Sequence, residues 1–253
     1  VTNEKYIEVN GANLCYFETG ECLPGRDSFL FVHATGFHAR CWDRTVRHLG
    51  NHHVVAVDMR GHGRSDNVGP YSWDIFGQDV TEFVRALDLR RIVATGHSMG
   101  GHSVCQAAAN EPHRFSRLLL VDPVILPPER YTETESQRTW LDKVDEHPVS
   151  RRRNRFESIE DMIENYAGRG SFSHWQADVL SDYCEFGSVP DGEGVVLACR
   201  PEVEAAIYGG SAGTDLSALF EKIEIPVTVL RARERQDMEG VLDFSGSPTW
   251  DEL

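Results

Sequence analysis

The chain has 253 residues, 40% of them hydrophobic, and a formal net charge of −15, which is enough apolar material for one large α/β domain carrying an insertion. The acidic balance argues against nucleic acid and against an anionic membrane surface as partners, since both repel a chain of their own sign. No apolar run reaches the roughly 18 residues of a membrane-spanning helix, the start Val1-Thr2-Asn3-Glu4-Lys5 has no signal-peptide character, and the six scattered cysteines form no C-x-x-C pair, so a cytoplasmic protein with reduced thiols is expected.

In chain order, residues 6–17 read as a hairpin turning at Asn10-Gly11. Phe29-Leu30-Phe31-Val32 reads as a short buried strand, with Trp42, Val46 and Leu49 following at helical spacing. Val54-Val55-Ala56-Val57 is a second buried strand. Phe76, Val80, Phe83, Val84 and Leu87 then mark one helix face, with Asp74 favourably placed in its first turn. Ile92-Val93-Ala94-Thr95 and Leu118-Leu119-Leu120-Val121 are further strands on either side of a small-residue helix. Strands alternating with helices predict an α/β fold, a mostly parallel sheet covered by helices on both faces. The rhythm changes at Pro123. From there to about 211 the pattern gives helices and no convincing strand: Ser158-Ile159-Glu160-Asp161 is a capping box, Trp175, Val179 and Tyr183 suggest a second helix, and Pro201 and Gly209 bracket a third. The strand–helix rhythm resumes with Leu216, Leu219 and Phe220 and the strand Val227-Thr228-Val229-Leu230. The expected organisation is a core of residues 1–123 and 212–253, interrupted by a helical cap at 124–211.

The chemistry is concentrated in Gly96-His97-Ser98-Met99-Gly100, a G-x-S-x-G sequence between a strand and a helix. That turn is too sharp for side chains at its glycine positions and pushes the serine hydroxyl out of the fold. Ser98 is the candidate nucleophile. A serine hydroxyl needs a base, usually histidine, a carboxylate to orient the base, and at least two donors for the developing oxyanion. The amide after the nucleophile, Met99, lies at a helix N-terminus and is one donor. The loop His33-Ala34-Thr35-Gly36-Phe37 follows an earlier strand and is placed to supply the other.

With His33-Ala34-Thr35-Gly36, Asp58-Met59-Arg60-Gly61-His62-Gly63-Arg64-Ser65-Asp66, the elbow at 96–100 and Leu120-Val121-Asp122-Pro123 in this order, the chain resembles the α/β-hydrolase fold superfamily, in its serine-nucleophile branch with a helical cap. The resemblance runs over roughly residues 5–235 and is specific for fold rather than substrate. It implies that the second oxyanion amide is that of Thr35, with Ala34 standing where glycine is more usual. It also implies that 58–66 is a structural turn near the site. The acid is left open. Relatives place it after the strand that follows the cap, which favours Glu234 and then Asp237; some use the end of the strand before the cap, which is Asp122. An Asp-Pro turn is the structural alternative for Asp122, and a solvated loop among arginines is the alternative for Glu234 and Asp237.

In this family the base is a histidine that follows the acid after one more strand. The last histidine here is His174, inside the predicted cap. The leading expectation is a sequence that stops before that strand, with the base beyond Leu253. The rivals are a variant without the base, acting as a ligand-binding protein, and a base from elsewhere, for which His174 is the cap candidate. His33 and His97 are common neighbours of the site in the family. An unpaired sheet edge at that point leads us to expect poor solubility or a homodimer.

The run Arg151-Arg152-Arg153-Asn154-Arg155 stands out in an acidic chain and reads as a solvated turn or as a contact for a substrate carboxylate or phosphate. Trp140, Tyr166, Phe172, Trp175 and Tyr183 read as cap packing or as an apolar pocket lining. There is no metal-ligand spacing and no phosphate-binding glycine motif, and no cofactor is expected. Together these features predict a serine hydrolase for an ester, thioester or related acyl bond of a small, largely apolar molecule. Ser98 argues against relatives with an aspartate nucleophile, such as haloalkane dehalogenases and epoxide hydrolases. Carbon–carbon bond hydrolases and cofactor-free haloperoxidases share the triad and stay open.

Overall fold

A computed structural model of the chain describes residues 3–131, 147–210, 215–234 and 246–253. The hairpin forms as its sequence requires. Strands β1 (Asn3–Val9) and β2 (Ala12–Thr19) pair antiparallel across Asn10-Gly11. Both turn residues have positive φ, 46° and 72°, the conformation Asn-Gly adopts at low cost. The chain continues through β3 (Ser28–Val32), a short helical turn α1 (Asp43–Val46), β4 (His53–Val57), α2 (Trp73–Ala86), β5 (Ile92–His97), α3 (Met99–Asn110) and β6 (Phe115–Val121). It returns to the sheet at β10 (Val227–Leu230), preceded by the short helix α8 (Ser217–Phe220). The sheet order among the described residues is β1-β2-β4-β3-β5-β6-β10, with β4, β3, β5, β6 and β10 all parallel.

The two faces are read directly from residue alternation. Leu14, Tyr16, Leu30, Val32, Val55 and Val57 pack against α2 and α3. Their neighbours Cys15, Phe17, Phe31, Val54 and Ala56 point the other way, onto Trp42, Val46 and Leu49. Helix α3 is buried from Met99 to Ala109, which explains its glycine and alanine content: anything larger would hold it off the sheet.

The segment between β6 and β10 holds α4 (Pro128–Tyr131), α5 (Ile159–Tyr166), α6 (Ala177–Phe186) and α7 (Pro201–Gly209). Ser158 caps α5 by accepting the Asp161 amide, as its sequence predicts. A purely helical insertion is corrected. β7 (Arg155–Phe156), β9 (Gly194–Leu197) and β8 (Ser188–Asp191) form a three-stranded antiparallel sheet beside these helices. Strands this short carry no readable alternation, and Pro190 counts against a strand although an edge position tolerates it. The signal that was there is the two-residue turn Gly192-Glu193, with Gly192 at φ 63° as a tight hairpin demands. No described helix is long and apolar enough to cross a membrane.

One buried ion pair ties three of these parts together. Arg60, 2% exposed, donates to both oxygens of Asp79, which is fully buried on α2, at 2.5 and 2.6 Å. Asn10 of the hairpin turn also donates to Asp79, and Arg60 donates back to the Asn10 carbonyl. Removing one partner strands the other's charge in the core. Asp79→Ala should therefore lose about 3–5 kcal/mol of unfolding free energy in urea titration; a loss under ~1 kcal/mol would show that the pair is solvated in practice.

Candidate active site

The elbow is set by close approach. Ser98 joins β5 to α3 with φ 54° and ψ −116°, a left-handed conformation that a non-glycine residue holds only when its surroundings impose it. A Cβ on Gly100 would lie 2.6 Å from the His33 carbonyl oxygen, and one on Gly101 would lie 2.8 Å from Pro123 Cβ. A Cβ on Gly96 would run into the Gly100 backbone. The first turn of α3 therefore sits directly over the ends of β3, β5 and β6. The Ser98 amide donates to Val121 at 3.0 Å, and the Ser98 carbonyl accepts from His102 at 3.1 Å and Val124 at 3.3 Å. These bonds fix the backbone of the serine. Among the described residues no side chain hydrogen-bonds Ser98 Oγ.

The loop after β3 is held by two buried histidines. His33 Nε2 accepts the Met59 amide at 2.9 Å, so its proton is on Nδ1, which donates to the Ala34 carbonyl at 2.8 Å. His62 repeats the arrangement: Nε2 accepts the Gly36 amide at 3.0 Å and Nδ1 donates to the Arg60 carbonyl at 3.0 Å. Burial pushes both rings toward the neutral form, His62 down to about 4. With both nitrogens engaged, each ring is scaffold. The Thr35 residue they flank is 3% exposed, and its hydroxyl oxygen has no hydrogen-bond partner among the described residues. The 58–66 turn is structural as well. Asp58 accepts the Ala39 amide at 2.7 Å and the Arg64 amide at 2.9 Å, and a side chain at Gly63 would collide with its carboxylate.

The candidate carboxylates fall in different places. Asp122 follows β6 with φ 41°. Its amide donates to Leu230 at 2.8 Å and its carboxylate accepts from Ala232 at 2.8 Å, so it bridges the end of the elbow's neighbouring strand to the end of β10. It also acts on His97, which burial lowers and the Asp122 charge partly restores. Glu234 is exposed, and its backbone forms an isolated parallel bridge with Ser247. Asp237 lies outside the described residues, as does Trp140. His174 is exposed at the end of a 3-10 turn in the intervening segment.

Sequence reasoning missed the partners of the arginine run. Arg153 pairs with Asp161 and Arg155 with Asp191. Arg152 turns inward. It donates to Glu204 at 2.5 Å, to the Tyr166 hydroxyl at 2.7 Å and to the Tyr183 hydroxyl at 3.0 Å. Glu204 had no signal, because an acidic residue in the first turn of α7 reads as an ordinary helix start. Phe37, unremarked in the loop sequence, is the link between the elbow and the intervening segment. Its ring lies 5.9 Å from His97, 5.7 Å from Trp175 and 5.4 Å from Tyr183. Phe172 extends this wall at 5.0 Å from Trp175.

Comparison with known proteins agrees with this fold. Residues 29–238 match the alpha/beta hydrolase family. The chain is 33% identical over 244 residues to a non-heme chloroperoxidase of Streptomyces lividans, covering 90% of this chain and 80% of that protein. It is 34% identical over 113 residues to the putative carbamate hydrolase RutD of Caulobacter segnis, covering 43% of this chain and 42% of that one. Among solved structures it is similar to E-2-(acetamidomethylene)succinate hydrolase, with a TM-score of 0.74 at 23% identity, over 92% of this chain and 82% of that one. At that identity the likeness speaks for the fold.

The Asp58 carboxyl gives a pH signature. Burial pushes it from 3.8 up to about 6, against the two amides that hold its charged form. Because the folded value lies above the unfolded one, its contribution is fully present below pH 4 and is lost as pH rises to 6. Relative to Asp58→Asn, the parent should gain about 2.5 kcal/mol of urea-unfolding free energy between pH 7 and pH 4. A flat difference across that range would mean that Asp58 titrates normally.

Proposed function

The chain belongs to the alpha/beta hydrolase family, and from that premise we propose that it is a serine hydrolase cleaving an ester, thioester or related acyl bond of a small, largely apolar molecule. The observation that carries this reading is the left-handed Ser98 between β5 and α3. Ser98 Oγ attacks the acyl carbon as a base takes its proton, and the carbonyl electron pair moves onto oxygen. The amides of Met99 and Thr35 receive that oxyanion. Collapse expels the leaving group with a proton from the base, and water then releases the acyl group from Ser98. Asp122 is the favoured carboxylate over Glu234, since it stands between the elbow and the end of β10 whereas Glu234 faces solvent. The wall of Phe37, Trp175 and Phe172 supports an apolar acyl or leaving group, and the segment that carries it acts as the cap that excludes water.

A second reading is a ligand-binding protein on the same scaffold. It is favoured by one observation: among the described residues no histidine hydrogen-bonds Ser98 Oγ. The name of the Streptomyces relative, a non-heme chloroperoxidase, also keeps haloperoxidase chemistry in view.

Labelling with a fluorophosphonate separates these. The full-length protein should be modified stoichiometrically at Ser98, located by peptide mass spectrometry, and Ser98→Ala should not react. Asp122→Asn should slow modification by about a hundredfold or more, while Glu234→Gln stays within about twofold. A protein that binds apolar carboxylic acids yet is never labelled would establish the binding-protein reading instead.

A further inference from the structure

Gly36 is held on every side. Its amide donates to His62 Nε2 at 3.0 Å, and its carbonyl accepts a long hydrogen bond from the Tyr183 hydroxyl at 3.4 Å. Its φ is 77°, and a Cβ there would lie 2.5 Å from Glu204 Oε1. The Tyr183 hydroxyl accepts from Arg152, so its own proton is directed to Gly36. Burial holds that phenol well above its usual range, which keeps the proton on oxygen. His38 reinforces the same tyrosine by donating to its backbone carbonyl at 3.1 Å and stacking on its ring. Arg152 thus fixes two groups at once, the hydroxyl above Gly36 and the carboxylate beside it.

A buried ion pair is a poor source of stability, because desolvation offsets most of the attraction, and apolar residues of similar volume commonly do as well. What it supplies is direction. The Arg152–Glu204 pair joins two points 52 residues apart at the glycine that follows Thr35. We propose that Arg152 and Glu204, acting with Tyr183, are positioning residues that set the Thr35 amide of the oxyanion site, so that the intervening segment controls the geometry of the catalytic loop. This rests on the hydrolase reading above.

The test compares limiting rate with affinity in fluorophosphonate modification of the full-length protein. Tyr183→Phe removes one hydroxyl and keeps the ring. It should lower the limiting rate of Ser98 modification by about tenfold to a hundredfold, with half-saturation within about twofold, since a misplaced oxyanion donor costs rate rather than binding. The double variant Arg152→Met/Glu204→Leu replaces the pair by apolar groups. It should keep a melting temperature close to the parent's while the limiting rate stays down by a similar factor. A structural role alone would let rate recover with stability. A double variant that melts and reacts like the parent overturns the inference, and if the double variant does not fold, a parental limiting rate in Tyr183→Phe overturns it. Failure of the unsubstituted protein to react at all removes the hydrolase reading and this inference together.

Discussion

The structure depends on how closely the first turn of α3 approaches the strand ends beneath it. Gly96, Gly100 and Gly101 have no room for a side chain, because the carbonyls of β3, the elbow backbone and Pro123 fill that space. This packing leaves Ser98 a conformation that costs of order 1–3 kcal/mol in isolation. It persists because the serine's backbone groups are bonded to Val121, His102 and Val124. The position of Ser98 at the strand–helix turn and the start of α3 at Met99 both follow from that one contact.

Parallel strands make the rest of the site cheap to assemble. All strands from β4 to β10 across the sheet run the same way, so their C-terminal ends lie along one edge. Polar residues follow those ends directly: His33 after β3, Asp58 after β4, Ser98 after β5 and Asp122 after β6, whose carboxylate accepts the Ala232 amide from beyond β10. Within the strands the same chain is mostly apolar. The sheet register therefore gathers groups from distant parts of the sequence at one edge, some of them buried there, as His33 and Asp58 are, which is the general reason sites of doubly wound sheets sit at this edge.

What could be read from the residues alone was whatever depends on local backbone chemistry. The Asn10-Gly11 turn, the Ser158 cap and the glycine–serine elbow each need particular residue types within a few positions, so they were legible. The parallel core was legible because its strands are continuous apolar runs. The sheet β7-β9-β8 was not, since two to four residues cannot show a period. Nor was the cluster around Gly36. Tyr183 and Gly36 are 147 residues apart, and nothing in either neighbourhood names the other. The arginine run was visible as an anomaly, but its resolution into separate pairs with Glu204, Asp161 and Asp191 is tertiary information.

The two proposed oxyanion amides are therefore held by unlike means. The Met99 amide belongs to the elbow, whose shape is enforced by short-range packing and would survive large changes elsewhere. The Thr35 amide belongs to a loop without regular structure, held by side chains: His33 and His62 from within the core, and Tyr183 and Glu204 from the intervening segment. A change in that segment that reshapes the aromatic wall of Phe37, Trp175 and Phe172 also moves Tyr183, since the same rings touch it. On the proposed reading, substrate preference and the placement of the Thr35 amide are consequently coupled through a single tyrosine. Adapting the wall to a new substrate without loss of rate requires keeping the Tyr183 hydroxyl over Gly36 while the surfaces around it change.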